Sequence, residues 1–423
     1  MFKFLHAADV HLDSPLKGLA RYEGAPADEI RGATRRAFDN LVELAIQEAV
    51  EFLLLAGDLY DGDWKDYNTG LFFVSRMRRL EEAGIPVFLI SGNHDAASQI
   101  TRVLRPPGNV KVFATKRPET VRLDGLEVAI HGQGFALQSV SEDLAAAYPD
   151  AVPQLFNVGL LHTSLDGRPG HASYAPCTLP GLRSKGYQYW ALGHVHEREI
   201  VCRDPWVVFP GSLQGRHVRE AGPKGAMLVT VEDREVVAVE PRDLDVFRWT
   251  VCRVDAAGAA TAGEALDRVG RALERELAMA DGRPLAARLV LHGACPAHEE
   301  LLGASERWIH ECRSVATGFG EGALWIEKVR FETRRPDDLR DPFDGDDALG
   351  GLLRSLRDLR EGRGSLEPLP SELADLKRKL PAELAADGDI LNETDSEELR
   401  SLLPEIEDLL LARLLATPEA AEP

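Results

Sequence analysis

The stretch Gly92-Asn93-His94-Asp95 ends the apolar run 86–91 in an amide, an imidazole and a carboxylate. The same thing happens elsewhere in the chain. Asp9 and His11 follow the run KFLHAA, Asp58 follows EFLLLAG, His162 follows FNVGLL, and His194 and His196 follow YQYWALG. A Gly-Asn turn after a strand is common, so any one of these stretches alone carries little weight. Residues i and i+2 of an extended segment project to one side. Asp9 with His11, and His194 with His196, can therefore each reach a common cation. Two carboxylates, an amide oxygen and several imidazoles, with no thiolate, suit divalent ions such as Mn, Fe or Zn.

These residues need elements that bring strand ends together. Strands are expected at 3–9, 51–58, 86–92, 126–132, 156–163, 187–194, 206–212 and 225–232, with helices at 32–50 and 67–84 between the first three. Strands alternating with helices in this way make an α/β fold with a layered sheet. In such folds the C-terminal strand ends share one edge, where loops build the site. A second unit reads strand 247–254, helix 262–280, strand 285–292, helix 297–315, strand 323–332. After Arg334 a Pro- and Asp-rich stretch reads as a linker, and leucines at helical spacing follow at 347–363 and 371–416. The expected organisation is a first domain at 1–242, a small α/β domain at 243–335, an acidic linker at 336–346 and a helical tail at 347–423.

The bulk numbers bound the answer. A chain of 423 residues with 44% apolar and 7% aromatic residues is globular and long enough to split into domains. The opening MFKFLHAADVHLDS is too polar for a secretory leader, and no apolar run approaches a membrane span, so a cytoplasmic protein with no membrane partner is expected. The five cysteines are widely spaced with no Cys-x-x-Cys pair, which suggests reduced core positions. A formal charge of −20 argues against a polyanionic partner. However, residues 336–423 carry 23 acidic against 10 basic residues, a net of −13, which leaves −7 for residues 1–335.

Taken together, Asp9-x-His11, Gly57-Asp58, Gly92-Asn93-His94-Asp95, His162 and Gly193-His194-x-His196 stand in the order and approximate spacing of the calcineurin-like metallophosphoesterases. HAADVHLDSPL, LLLAGDLYDG, GNHDAAS and GSLQGRHVRE resemble the bacterial DNA-repair exonuclease branch, the SbcD-like and YhaO-like proteins, over residues 1–335. The resemblance implies a layered β-sandwich core with a small α/β cap and a helical C-terminal tail. It implies two divalent metal ions, with Mn2+ expected. Asp9, His11, Asp58 and His196 would hold one, and Asp58, Asn93, His162 and His194 the other, with Asp58 bridging. His94 would stabilise charge at the phosphate and protonate or orient the departing sugar oxygen. Asp95 would hydrogen-bond a ring nitrogen of His94 or of a metal-bound histidine, and Asp61 could do similar work. The implied function is a DNA exonuclease, with endonuclease activity also in view, that uses a two-metal-activated hydroxide in DNA repair. An SMC-like ATPase, docked by the tail, and a homodimer are the implied partners.

Other residues have plainer readings. His6 and His131 are expected as satisfied core histidines, and Tyr187, Tyr189 and Trp190 as core aromatics. His217 is open to either reading. Arg102, Arg105, Arg183, Lys185, Arg216 and Arg219 neighbour the motifs and are candidate DNA contacts, although solvation explains scattered arginines equally well. The competing functions are a small-molecule or cyclic-nucleotide phosphodiesterase on the same scaffold, or a weakly active DNA-binding scaffold.

Overall fold

A computed structural model of the chain describes residues 1–14, 27–61, 67–97, 106–167, 174–320, 322–336 and 348–364, with Leu403, Ile406 and Leu410 beyond them. The apolar runs form two six-stranded sheets. The first has the order β12-β11-β1-β2-β3-β4, with β1 (Phe2–Ala7), β2 (Phe52–Ala56), β3 (Val87–Ile90), β4 (Val110–Val112), β11 (Gly225–Glu232) and β12 (Glu235–Asp243). The second has the order β5-β6-β7-β8-β10-β9, with β5 (Glu119–Leu123), β6 (Val128–Gly132), β7 (Phe156–His162), β8 (Tyr189–Gly193), β9 (Glu199–Arg203) and β10 (Trp206–Phe209). β1 to β4 pair in parallel, as do β6, β7, β8 and β10, whereas β11, β5 and β9 join antiparallel.

Why the runs are apolar throughout, rather than alternating, follows from the layers. Phe4, Phe52, Leu54, Phe88 and Ile90 pack in one core with Phe156, Val158, Tyr189 and Ala191 of the second sheet. Their chain neighbours Leu5, Leu53, Leu55, Val87 and Leu89 face the other way, onto Ala37, Phe38, Leu41 and Ala45 of α1 (Ala27–Gln47) and Phe73, Met77 and Leu80 of α2 (Tyr67–Glu82). Trp190 and Leu192 likewise leave the inter-sheet core for a third cluster with Tyr148, Tyr187 and Leu182. Strands covered on both faces read as continuous hydrophobic runs. The expected α/β fold is observed, and the layers form a sandwich of two mixed sheets.

The chain divides into two compact units. One is Met1–Val251 with Leu277–Ala287 and Glu321–Glu327. The other is Cys252–Glu276, Arg288–Gly320 and the described residues from Lys328 on. The segment expected to form a separate small domain, 243–335, thus contributes to both. Its strands β13 (Arg248–Asp255), β14 (Leu285–Ala294) and β15 (Leu324–Arg334) make a three-stranded sheet in that order. The helix expected over 297–315 is two helices, His298–Gly303 and Ser305–Thr317, because Ala304 adopts φ −128° and ψ 42° after a glycine. The tail helix at 347–363 is observed as Ala348–Arg360, and most of 371–416 lies outside the described residues.

Candidate metal centre

The parallel register sets the site. Ala7 lies beside Leu55 and Ala56 beside Ile90, so the turns after β1, β2 and β3 leave the sheet side by side. In the second sheet His162 lies beside Gly193, which puts His162 next to His194. Asp9, His11, Asp58 and His194 all sit at positive φ, 49°, 46°, 53° and 101° respectively. That region is sparse for residues with a Cβ and is tolerated best by Asn, Asp and His. Such strain persists where the surroundings over-determine it, typically at functional sites. Two motif glycines make room. Gly57, at φ 91°, leaves the space where a Cβ would meet His162 Nδ1 at 2.5 Å, and a Cβ at Gly92 would collide with the Asp58 carboxylate.

The expected donors converge. Asp9, His11 and His196 each offer an atom to one cluster, Asp9, Asp58 and His162 to a second, and His11, Asp58 and His94 to a third, each set within 4.8 Å. Asp9 accepts the His194 backbone N–H at 3.1 and 3.0 Å, which ties the two sheets together at the site. The His194 ring meets His162 edge to face at 5.3 Å and Tyr174 at 5.4 Å.

The contacts themselves fit cations. His162 Nδ1 lies 2.9 Å from the Ala56 carbonyl and so carries the proton, which leaves Nε2 as a bare lone pair. That lone pair lies 3.0 Å from Asn93 Oδ1. His196 Nδ1 donates to Glu220 Oε1 at 2.7 Å, which in the neutral ring puts the lone pair on Nε2, and that nitrogen faces His11 Nε2 at 3.4 Å. Lone pairs that face each other in a buried site repel unless a cation lies among them. Asp58 lies between both pairs, with Oδ2 3.5 Å from His162 Nε2 and 3.9 Å from His11 Nε2. Burial pushes Asp9 up to about 7, with His196 opposing and Asp58 adding to the rise. Against the same upward push, His162, His11 and His94 hold Asp58 low. Burial also lowers His11, to about 3, so its imidazole is neutral and able to ligate.

His94 differs from the donors around it: 36% of its side chain is exposed. Its backbone N–H donates to Asp58 Oδ1 at 2.9 Å, while its Nδ1 lies 2.8 Å from Asp61 Oδ1. Burial would lower the His94 pKa, but the Asp61 contact and the Asp58 charge raise it. Asp61 also accepts from Ser14 Oγ at 2.5 Å, and against burial its His11 and His94 contacts hold it far below the usual carboxylate range. The expectation that Asp95 bonds an imidazole is corrected. Asp95 accepts the backbone N–H groups of Leu59, Tyr60 and Gly92 at 3.2, 2.9 and 3.0 Å. The reason is local: Asn93–Ala97 is a short helix, α3, on which adjacent residues do not face each other.

The basic candidates fall less simply. Lys185 Nζ donates to the carbonyls of Ala146 and Tyr148 at 2.9 and 2.7 Å, and Arg183 donates to Asp204 O at 3.2 Å. Arg216 is engaged by Glu220, with Nη2 2.7 Å from Oε1. Arg219 is exposed, and Arg102 and Arg105 lie outside the described residues. His6 bonds Tyr189 Oη and the Leu192 carbonyl, both at 3.1 Å. His131 bonds Thr120 and Asn157 and stacks on Tyr187, and Tyr187, Tyr189 and Trp190 are buried. Sequence reasoning passed over Glu220 and Lys224, which reach His196 from a loop with no recurrent spacing.

A sandwich whose strand ends gather acidic, amide and imidazole donors around a central aspartate defines a metal-dependent phosphoester hydrolase. The chain belongs to the calcineurin-like metallophosphoesterases. The calcineurin-like phosphoesterase family matches residues 2–198, and the middle domain of metallophosphoesterase YhaO matches residues 249–334. The chain is 34% identical over 362 residues to the uncharacterized metallophosphoesterase YhaO of Bacillus subtilis, a match covering 84% of this chain and 86% of that one. It is 29% identical to the DNA double-strand break repair protein Mre11 of Methanopyrus kandleri, over 50% of this chain and 48% of the relative. The Mre11 of Sulfurisphaera tokodaii is 27% identical over 59% of this chain and 64% of its own length.

Proposed function

We propose that this protein is a Mn2+-dependent DNA nuclease acting in repair. The observation that carries it is the partly exposed His94 imidazole, held 2.8 Å from Asp61 at the rim of the buried donor cluster. Asp9, His11, Asp58 and His196 would hold one cation, and Asp58, Asn93, His162 and His194 a second. When bound, such a pair supplies Lewis-acid charge and an activated water for an in-line displacement. The chain's own residues do the rest. Asp61 binds the Nδ1 proton of His94 and keeps the ring charged, so that Nε2 is free to give a proton to the leaving sugar oxygen. Asp95 ties the turn after β2 to the turn after β3 through three backbone N–H groups, which keeps Asp58 and Asn93 at a fixed separation. DNA as substrate, and an SMC-like ATPase as partner of the helical tail, rest on the repair-exonuclease motifs and on two relatives named for double-strand break repair.

The test is cleavage of end-labelled duplex and single-stranded DNA with Mn2+, alongside bis-p-nitrophenyl phosphate, by the wild type and His94→Gln. The expected outcome is metal-dependent DNA cleavage that drops by roughly 10²-fold or more in the variant, with metal content retained. Turnover of the small diester with no DNA cleavage, even with the ATPase added, would instead make the protein a small-molecule phosphodiesterase.

A further inference from the structure

One loop of the first unit is not explained by the ligand motifs. Between β10 and β11 the chain runs from Pro210 to Lys224, and three of its charged side chains, Arg216, Glu220 and Lys224, close on a single residue, His196. Glu220 is only 4% exposed. Its Oε1 accepts from His196 Nδ1 at 2.7 Å and from Arg216 Nη2 at 2.7 Å. Its Oε2 accepts from the Arg216 backbone N–H at 2.9 Å and from Arg216 Nε at 3.3 Å. The His196 carbonyl is held as well, by Lys224 Nζ at 2.9 Å and by the Ser212 N–H at 3.2 Å. Ring and backbone of one histidine are thus gripped by the same loop.

A buried carboxylate is costly unless its oxygens are satisfied, and Arg216 alone would satisfy this one. The additional bond to Nδ1 has a specific effect on the imidazole. It fixes the proton on Nδ1 and presents the bare Nε2 lone pair on the far side of the ring, where Nε2 lies 3.9 Å from Asp9 Oδ1 and 3.4 Å from His11 Nε2. Carboxylates placed behind a ligating histidine orient the ring and raise its basicity.

We propose that Glu220 is a positioning residue for the Asp9–His11–His196 end of the centre, holding His196 in its ligating tautomer and orientation, with Arg216 fixing the carboxylate in turn. This rests on the two-cation reading above. It gives Arg216 a structural task distinct from the phosphate contact expected of it.

The experiment is calorimetric titration of the metal-free full chain with Mn2+ alone, for the wild type, Glu220→Gln, His196→Ala and the double variant, with a thermal melt of each metal-free protein. The expected result is two ions bound by the wild type. In Glu220→Gln the melt is unchanged and one site is weakened by roughly 10–100-fold. In the His196→Ala background the Glu220 change costs nothing further. Glu220→Asp, which keeps the charge but withdraws it from the ring, gives a smaller loss and serves if Glu220→Gln does not fold. Wild-type affinity at both sites in Glu220→Gln overturns the assignment, as does a further loss in the His196→Ala background. A wild type that binds no Mn2+ overturns the two-cation reading itself.

Discussion

At the scale of single residues, two aspartates of the site hold different tasks by position alone. Asp95 is spent on backbone N–H groups, whereas Asp61 faces an imidazole that reaches solvent. Replacing Asp61 by Asn removes the charge that raises His94 and leaves burial to lower it. A smaller fraction of His94 is then protonated at any pH above its new value. The Asp61→Asn enzyme should lose roughly 10²-fold in kcat at pH 8, and the alkaline limb of its profile should move to lower pH. Metal content measured alongside separates this from damage through His11, which lies 3.7 Å from Asp61. An unshifted limb would deny Asp61 its role. The donors stood out in sequence because each closes an apolar run, but Asp61 and Asp95 could not be told apart there: which one meets His94 depends on a single helical turn at Asn93–Ala97.

At the scale of elements, β1 and β8 are joined across the sandwich by His6, a polar group within an apolar layer. Burial pushes its pKa down to about 3, against the bond to the Leu192 carbonyl. In the unfolded chain the same group titrates near 6.5. Between those values the unfolded state binds a proton that the folded state refuses, so stability falls as pH drops from about 6.5 towards 3. His6→Asn should make the acid limb of urea-unfolding stability shallower than that of the wild type by about 1.4 kcal/mol per pH unit. Parallel limbs would mean that His6 is protonated in the fold. The strands covered on both faces were legible because they show no polar alternation, and the helices because they show a 3.6 period. β4, β5, β9 and β12 were not, since Val110–Val112 is three residues long and Glu119–Leu123, Glu199–Arg203 and Glu235–Asp243 are partly exposed edge strands with mixed composition. The Ser305 helix start was hidden for a similar reason, as it lacks a side-chain cap.

At the scale of the whole molecule, the acidic excess lies largely in 336–423, away in sequence from every motif. No helix of the described residues is long and apolar enough to cross a membrane. The sandwich also has a mechanical property. Asp9, His11, Asp58 and Asn93 come from the first sheet, and His162, His194 and His196 from the second. An ion gripped by both is a cross-link, comparable to a rivet through two plates, and the two layers cannot part while it stays. Folding then draws on cation concentration by mass action. Each tenfold rise in free Mn2+ above saturation should add about 1.4 kcal/mol per bound ion to the unfolding free energy. Melting curves across a Mn2+ series, with a chelator as the zero point, should climb with the logarithm of the ion; a flat series would mean that the layers hold without it. A cell short of the metal would then lose not only the enzyme's turnover but also part of its lifetime as a folded chain.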